Sequence, residues 1–469
     1  MVRRSLVLAA AAALSGCTVV GSDYHVPDAA MVKSPMAQGA FQSGSVVTTQ
    51  EPLPDHWWRL YEDPVLDGLI EQAFLANTDL RVAEANLERS QALLDERNVG
   101  REIQGSVNAE TSWAQRSAEA ELNHVKPPTR QIYNMGIGAS YDLDLFGGIR
   151  RGIEAANADA EAAVAARDLV RVTVAAETAR AYADICNAGY QRDVLGRAIA
   201  VLEQSVRLTR IMVSHGRAAP YELDRRQALL ETSKARLPRL VARQRNALFR
   251  VTALAGRTPG EADTGLFACH ASLALRRVIP VGDGAALLKR RPDIRMAERR
   301  LAATTARIGV STADLYPDIR LGASVGSTGA AADFLSPLTN RFGLGPLISW
   351  TLNRHAVRAR IAATEAQSRG DLAAFDGVVI KALREVETAL TNYQAGLEQQ
   401  EGLDRASADV MRAALRMGQL RRGGKIAALP ALEAERDQIA ADQAVAEARA
   451  AINDDQITLF LALGGGWSN

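Results

Sequence analysis

The clearest pattern in the chain is a strict alternation of apolar and polar residues from Tyr133 to Phe146. Its odd positions carry Tyr, Met, Ile, Ala, Tyr, Leu and Leu, whereas the even positions up to 144 carry Asn, Gly, Ser and Asp. Such alternation predicts a β-strand with one apolar and one polar face. Residues 103–113 alternate in the same way, and Pro127-Pro128 lies between the two stretches, which predicts a hairpin with a long tip.

Helical patterns flank this hairpin on both sides. A helix is predicted from about residue 63 to 99, and a proline-free run rich in Ala, Glu and Arg follows from 148 to 213. An uninterrupted helix of roughly 65 residues would be about 100 Å long at 1.5 Å per residue. Gly216 and Pro220 end the run, and apolar residues spaced seven apart predict a returning helix as far as about Leu254.

The whole arrangement occurs twice. The sequence DLRVAE at 79–84 returns as DIRMAE at 293–298, and alternating stretches recur at 319–326 and 341–352. Gly423-Gly424 then interrupts a second long helical run, as Gly216 interrupts the first. The chain is therefore predicted to consist of two structural repeats, 61–275 and 276–469.

Four strands of membrane-spanning length cannot close into a barrel by themselves. In a bilayer an open sheet edge leaves backbone groups without hydrogen bonds, and about eight strands form the smallest workable barrel. Several chains must then share one barrel, with eight strands from two copies or twelve from three. The fold class predicted from the pattern is mainly α with transmembrane β, and the helices are expected to continue from one rim of the barrel.

Composition and motif content argue against several other classes of protein. The net charge is +1, which gives no reason to expect binding to nucleic acid. The six histidines are scattered without zinc-like spacing, and the sequence has neither a phosphate-binding loop nor a nucleophile elbow. We therefore predict no enzyme activity, no cofactor and no metal site. Three cysteines are too few for a disulfide framework, and Cys186 and Cys269 are interpreted as buried or idle thiols.

The amino terminus has the features of an export signal. Arg3 and Arg4 precede a short apolar region, and the sequence Leu-Ser-Gly before Cys17 resembles the bacterial lipobox. The resemblance implies a signal peptide at 1–16, lipidation of Cys17 and, because Thr18 is not followed by Asp, sorting to the outer membrane. Residues 17–60 are rich in Pro, Ser and Gly and are predicted to form an extended, lipidated tether.

Aromatic residues lie near both ends of the predicted strands. Aromatic side chains at the two membrane interfaces form belts in membrane proteins, and we predict such belts here. The alternative is ordinary core packing at strand ends. The predicted belt consists of Trp113, Tyr133, Tyr141, Phe146, Tyr316 and Trp350.

Three motifs carry a resemblance that covers nearly all of the mature chain. They are DLDLFG at 142–147, LKRRPDIR at 288–295 and LGGGW at 463–467. Together they resemble the TolC-like outer-membrane efflux family, in particular the lipoprotein branch that serves resistance-nodulation-division (RND) pumps. The resemblance implies a homotrimer with a shared twelve-stranded barrel, continued by a long periplasmic coiled-coil tunnel. It also implies two partners, a periplasmic adaptor (membrane fusion) protein and an inner-membrane RND pump, with the channel acting as a passive exit duct.

The same resemblance assigns roles to residues at the two helical turns. The turns GRAA at 216–219 and GKIA at 424–427 match the family's adaptor-contact tips, here Gly216, Arg217, Ala218, Gly424, Lys425 and Ile426. Constricting residues of the family fall on Leu429 and Glu433, and the first-repeat candidates for this periplasmic gate are Asp224 and Glu222. The alternative is that these acids are solvated coiled-coil flanks. Pro430 departs from the family pattern and puts the local ring geometry in question.

Two other functions are compatible with the pattern. One is an outer-membrane channel for type I protein secretion, and the other is a periplasmic coiled-coil interaction protein without a pore. The lipobox and the glycine-rich ending favour the efflux interpretation over the first. The expected location is the outer membrane, with lipid anchoring and a tunnel that projects into the periplasm, and the sequence does not identify the cargo.

Overall fold

A computed structural model describes residues 19–43, 48–49, 51, 53–115, 117–118, 124–275 and 278–465. The predicted signal peptide and Cys17 lie outside these residues. In the described ranges, no helix contains a stretch that is both long and apolar enough to cross a bilayer.

Helices and strands of the described residues follow the predicted duplicated order. The α-helices are α1 (Pro35–Gln38), α2 (Pro64–Ala76), α3 (Thr78–Asn98), α4 (Gly148–Ser214), α5 (Pro220–Leu254), α6 (Gly284–Arg290), α7 (Pro292–Ala313), α8 (Arg354–Arg422) and α9 (Ala428–Ala462). The β-strands are β1 (Thr48–Thr49), β2 (Gln104–Ala114), β3 (Arg130–Asp142), β4 (Ile279–Pro280), β5 (Asp318–Ala330) and β6 (Asn340–Ser349). The long helices α4 and α8 have 67 and 69 residues, and each returning helix has 35. These matched lengths confirm the duplication.

The chain divides into two compact units, and each repeat contributes to both. The first unit lies within residues 1–27, 86–163 and 296–375 and contains the four-stranded sheet. Its strand order is β2-β3-β5-β6, and every neighbouring pair is antiparallel. The second unit lies within 28–85, 164–295 and 376–469 and contains the helical turns at Gly216 and Gly424.

The junction between β3 and α4 differs from the sequence prediction. The alternation suggested a strand as far as Phe146, but β3 ends at Asp142. Asp144 has a positive φ of 42° and places its carboxylate over the start of α4. Its Oδ1 accepts a hydrogen bond from the Ile149 amide, and its Oδ2 accepts one from the Arg150 amide, both at 2.8 Å. A negative charge at a helix amino terminus is favourable, so Asp144 initiates the helix instead of continuing the strand.

The segment after the predicted lipidation site is docked on this junction. The Val20 amide donates to the Phe146 carbonyl at 3.1 Å. Arg151 donates from Nε to the Val20 carbonyl at 3.0 Å and from Nη2 to the Gly21 carbonyl at 2.8 Å. A Cβ atom on Gly21 would lie 2.8 Å from Gly309 Cα, so only glycine fits there. This part of the predicted tether is therefore held in place by hydrogen bonds.

The Trp57-Trp58 pair belongs to the core of the second unit and not to a tether. The Trp57 ring is fully buried and stacks on Phe460 with ring centroids 4.4 Å apart. The Tyr61 ring meets the edge of Phe460 at 6.3 Å, and its hydroxyl donates to Gln456 Oε1 at 3.1 Å. Large aromatic rings bury more apolar area than any other side chains, so these contacts attach the segment firmly to α9.

The helix predicted over 63–99 is broken at Asn77. Asn77 has an extended backbone, and its Oδ1 accepts hydrogen bonds from the amides of Asp79 and Leu80 at 2.9 and 3.1 Å. Its Nδ2 donates to the carbonyl of Leu254, the last residue of α5, at 3.0 Å. The last carbonyls of a helix have no hydrogen-bond donor within that helix. The side chain of Asn77, at the break, supplies a donor to the last carbonyl of α5.

Arg291 occupies the equivalent place in the second repeat, between α6 and α7. Its Nη1 donates to the carbonyl of Ala462, the last residue of α9, at 2.7 Å. Its Nη2 lies 2.7 Å from Asp293 Oδ2 and 2.9 Å from Glu385 Oε2, and its side chain is only 8% exposed. The LKRRPDIR motif thus supports the carboxyl end of the second returning helix.

Cys186 and Cys269 form a disulfide, so their interpretation as idle thiols is wrong. The bond joins the fully buried side chain of Cys186 in α4 to the irregular connector, 83 residues further along the chain. Next to it, His270 Nδ1 lies 2.8 Å from Asp193 Oδ2. The connector is therefore held to α4 by a covalent bond and an adjacent polar contact.

Candidate functional site

One face of the four-stranded sheet carries a band of exposed, large apolar side chains. Val107 pairs with Ile137, Ile137 with Val325, and Val325 with Phe342, so these four residues share one face. Their exposed fractions are 80%, 61%, 60% and 90%. Leu344, at 85%, extends the band along β6. An apolar surface of this extent on paired strands is typical of a lipid-facing barrel wall.

The opposite face is polar and is formed mostly by small residues. Its largest cluster joins three strands: Arg341 donates from Nε to Thr328 Oγ1 at 3.0 Å and from Nη2 to Asn134 Oδ1 at 2.9 Å. Thr328 Oγ1 also donates to Asn134 Oδ1 at 2.8 Å. The residues around this cluster on the same face are Ser106, Gly136, Gly138, Ser140, Gly322, Ser324, Gly326, Gly343 and Gly345. Most positions on this face are therefore small, polar or glycine.

The sheet has two outer strands, β2 and β6. Within the described residues, β2 pairs only with β3, and β6 pairs only with β5. An apolar sheet with open edges is incompatible with lipid, because the edge amides and carbonyls would have no hydrogen-bond partners. The geometry therefore requires strand pairing with further copies.

Five of the six predicted belt aromatics lie at exposed or half-exposed positions. Trp113 is 76% exposed and Tyr141 is 41% exposed. The rings of Phe146 and Tyr316 stack with centroids 4.5 Å apart, and the indole of Trp350 donates to the Leu315 carbonyl at 3.1 Å. These positions are compatible with interfacial belts, which remain a prediction.

Tyr133 departs from the predicted belt. It is only 6% exposed, and its hydroxyl shares a hydrogen bond of 2.7 Å with Ser327 Oγ. The Leu335 amide donates to the same hydroxyl at 3.0 Å, and the Phe334 ring meets the tyrosine ring at 4.9 Å. Tyr133 therefore fastens the loop between β5 and β6 over the sheet, which removes its ring from a lipid-facing surface.

The two helical turns have the same backbone geometry. Gly216 and Gly424 both have φ of 69°, a conformation that favours glycine. The Arg217 amide donates to the Met212 carbonyl at 2.7 Å, and the Lys425 amide donates to the Leu420 carbonyl at 2.9 Å. This is the Schellman ending of an α-helix, and it leaves both cationic side chains exposed at the tips.

The candidate gate residues fall into two groups. Glu433 of α9 is tied to the first repeat, because its Oε1 lies 2.8 Å from Arg226 Nη2 of α5. Arg226 also donates from Nη1 to Ser205 Oγ of α4 at 2.9 Å. Glu222 and Asp224, by contrast, form no ion pair with any described residue. Sequence reasoning missed Arg226, since no periodic pattern distinguishes it from the neighbouring Arg225.

Leu429 and Pro430 lie in the first turn of α9. Leu429 is half-buried and precedes Glu433, the candidate gate acid, by one helical turn. A proline in the first turn costs little, because the backbone N–H groups there have no acceptor within the helix. Pro430 is therefore compatible with a continuous α9, which begins at Ala428. Among the described residues, no group of three or more His, Cys, Asp and Glu side chains is arranged to hold a metal ion.

The described part of the chain combines a sheet that has an apolar face and unpaired outer edges with long antiparallel helical hairpins. These features define a class of membrane channel in which several chains share one β-barrel. Residues 69–257 and 285–465 match the family described as "Outer membrane efflux protein", and these ranges span more than three quarters of the chain. The chain belongs to this family.

Individual relatives are similar over almost the full length. The toluene efflux pump outer membrane protein TtgC of Pseudomonas putida is 28% identical, over 97% of this chain and 93% of the relative. The solved outer-membrane channel OprN is 32% identical with a TM-score of 0.85, over 96% of this chain and 99% of that channel. The Neisseria gonorrhoeae MtrE channel, solved in its open state, is 26% identical with a TM-score of 0.79, over 96% and 99%.

Proposed function

We propose that this protein is the outer-membrane exit channel of a tripartite RND-type efflux system. Three copies form one twelve-stranded barrel, and their helical hairpins form a periplasmic tunnel that meets an adaptor protein and an inner-membrane pump. Cys17 carries the lipid anchor, and the channel is passive. The names of relatives such as TtgC support the export of small molecules.

One observation carries this proposal: the exposed apolar band lies in register across all four strands of a sheet whose outer strands, β2 and β6, each pair with a single strand among the described residues. A periplasmic coiled-coil protein without a pore would have no use for such a band. Twelve strands from three copies satisfy every edge and enclose the small, polar face.

The proposal is tested with purified, full-length protein in planar bilayers and by cysteine labelling. We expect a trimer in detergent and measurable conductance once the periplasmic end is open. In membranes, V107C should be protected from a water-soluble thiol reagent, whereas its neighbour S106C should react from the lumen. A lone subunit with equal labelling at both positions would contradict the proposal.

The link between Arg226 and Glu433 gives a prediction about gating. Replacing Glu433 with Ala releases α9 from α5, and we expect a two- to five-fold higher open probability in bilayer recordings. The side chains are 20% and 48% exposed, so solvent screening limits the link to about 0.5–1 kcal/mol. R226A breaks the same link and also removes the hydrogen bond to Ser205, so its effect should be at least as large as that of E433A. E433A/R226A should add nothing beyond R226A, because the link is already broken.

Arg225 provides the matched control for this experiment. It is exposed on the same turn and forms no ion pair with any described residue, so R225A should leave the open probability unchanged. An equal increase in R225A, or additive effects of E433A and R226A, would show that the link does not hold the gate.

A further inference from the structure

The loop between β5 and β6, residues 331–339, lies on the apolar face of the sheet and not on its polar face. Tyr133 pairs with Gly329, and Gly329 is four residues from Val325, so both positions share the face of the exposed apolar band. A Cβ atom on Gly329 would lie 2.5 Å from Thr339 Cγ2, so the end of the loop covers this face where the strand has no side chain. In the proposed barrel the loop is therefore on the side that faces lipid.

The loop encloses a small polar cluster against this face. The Tyr133 hydroxyl lies 2.7 Å from Ser327 Oγ and 3.0 Å from Thr339 Oγ1, and the two latter oxygens lie 2.8 Å apart. Tyr133 and Ser327 are both buried. An unpaired hydroxyl in an apolar environment is costly, and here each hydroxyl has a partner beneath the loop. The cluster therefore attaches the loop to the barrel wall.

The backbone of the loop is suited to an environment without water. From residue 335 to 339 every N–H has an acceptor within the protein, and Pro337 has no N–H. The amides of Leu335, Ser336, Leu338 and Thr339 donate to the Tyr133 hydroxyl at 3.0 Å, the Asp333 carbonyl at 3.0 Å, the Ser336 hydroxyl at 3.4 Å and the Ser336 carbonyl at 3.0 Å. Water would accept hydrogen bonds from a solvated loop, whereas hydrocarbon accepts none.

The side chains on the outside of the loop are large and apolar. Phe334, Leu335 and Leu338 are 56%, 58% and 96% exposed. Their depth follows from the length of β5, because Gly329 lies ten residues beyond Ile319, the first apolar residue of that strand. At 3.4 Å per residue and a tilt of about 40°, ten residues rise about 26 Å, close to the roughly 25 Å height of an apolar barrel band. The loop is therefore at the outer boundary of the hydrocarbon.

These features indicate what covers the loop. Resting on the proposed function, we propose that the loop inserts Phe334, Leu335 and Leu338 among the acyl chains of the outer leaflet, just below the headgroups. The loop continues the apolar band, so the same lipid that covers the band covers these side chains. A loop that closed the lumen would lie on the polar face instead. The loop thus takes the interfacial position that the strand pattern assigned to Tyr133.

The test uses full-length protein in proteoliposomes, with a bimane fluorophore on one introduced cysteine at a time. L338C is the test position, V107C reports on the apolar band, and S106C reports on the polar face. The wild type, treated in the same way, gives the background. Lipids with brominated acyl chains quench fluorophores in hydrocarbon, and iodide quenches those in water. We expect brominated chains to quench the L338C label at least three-fold more strongly than the S106C label, and iodide to show the opposite order.

Bromine position gives the depth of the label. Bromine near the headgroup should quench the L338C label more strongly than bromine near the chain end, and the V107C label should show the reverse. Iodide quenching at L338C equal to that at S106C would place the loop in water. Weak quenching of L338C by both agents would show that protein covers the loop. Either result would overturn the inference.

Tyr133 provides a variant that releases the loop. Y133F keeps the ring but removes the hydroxyl that accepts from the Leu335 amide, so iodide quenching at L338C should rise at least two-fold. Y141F is the matched control, because Tyr141 lies on the same face of β3 and its hydroxyl forms no hydrogen bond with another described residue. Equal changes in both variants, or no change in Y133F, would show that the hydroxyl does not hold the loop on the wall.

The V107C label separates this inference from the proposed function. If iodide quenches V107C as strongly as S106C, the sheet has no lipid-facing wall and the proposed function fails. If brominated chains quench V107C but not L338C, only the inference about the loop fails.

Discussion

Alanine at both Cys186 and Cys269 is expected to lower the free energy of unfolding of the second unit by about 4 kcal/mol. The disulfide spans 83 residues, and closing a loop of that length restricts the unfolded chain strongly. Without the bond, the connector is held to α4 by weaker contacts, such as the one between His270 and Asp193. Urea unfolding of the detergent-solubilised protein, followed by circular dichroism, measures the effect.

The two single variants provide the control. Either C186A or C269A breaks the whole bond, so each should lose nearly as much stability as the double variant, and the losses should not add. Cys17 stays in all variants, so that the proposed lipidation site is unchanged. A loss below about 1 kcal/mol, or additive single losses, would show that the bond contributes little.

Replacing Arg291 with Met is expected to destabilise the same unit by about 3–5 kcal/mol. Methionine keeps much of the side-chain volume but removes the guanidinium, which leaves Asp293, Glu385 and the carbonyl of Ala462 without their donor. Breaking a buried charged network from one side is costly, because the remaining charges stay desolvated. The same urea unfolding experiment measures this change.

Asn77 is the natural comparison for Arg291, since it occupies the equivalent break in the first repeat. N77A removes a neutral amide that caps α3 and donates to the Leu254 carbonyl. The expected loss is about 1–2 kcal/mol, in the range of a lost helix cap. N77A could lower the free energy of unfolding as much as R291M does. In that case the ionic contacts of Arg291 with Asp293 and Glu385 do not stabilise the second repeat more than the neutral cap stabilises the first.

Much of the fold could be predicted because its signals are local. Alternation with a period of two indicated β2, β3, β5 and β6, and the long proline-free runs indicated α4 and α8. The two glycine turns could be located because a left-handed residue after a long helix is nearly always glycine. Four alternating stretches predicted four strands per chain. The free-energy cost of unpaired backbone groups at open sheet edges in lipid then predicted a barrel shared among chains.

The features that sequence reasoning missed depend on residues far apart in the chain. Cys186 bonds to Cys269, and Trp57 stacks on Phe460. In each pair the two residues are too far apart in the sequence for a local pattern to predict their contact. The break at Asn77 has the same origin, because its amide serves a carbonyl 177 residues away. The Asp144 cap was missed for another reason, since the alternation of apolar and polar residues continues past the true end of β3.

In the candidate site, too, the features with a local sequence signal could be predicted, and those that depend on distant residues could not. The tip turns could be located from glycine spacing and from the family resemblance, but the partner of Glu433 could not. Arg226 is one of several arginines near the first tip, and only the packing of α5 beside α9 selects it. Tyr133 matched the expected position of a belt aromatic, yet the loop between β5 and β6 covers it.

Arg151 holds the backbone carbonyls of Val20 and Gly21, and these hydrogen bonds have a practical consequence for protein engineering. A reporter peptide inserted between Val20 and Gly21 would pull Val20 away from the Phe146 carbonyl, or Gly21 away from Arg151. A bulkier residue at 21 would collide with the α7 backbone at Gly309. Fluorescent or affinity labels are therefore better placed elsewhere in the chain, so that Val20 and Gly21 stay attached to the junction of β3 and α4.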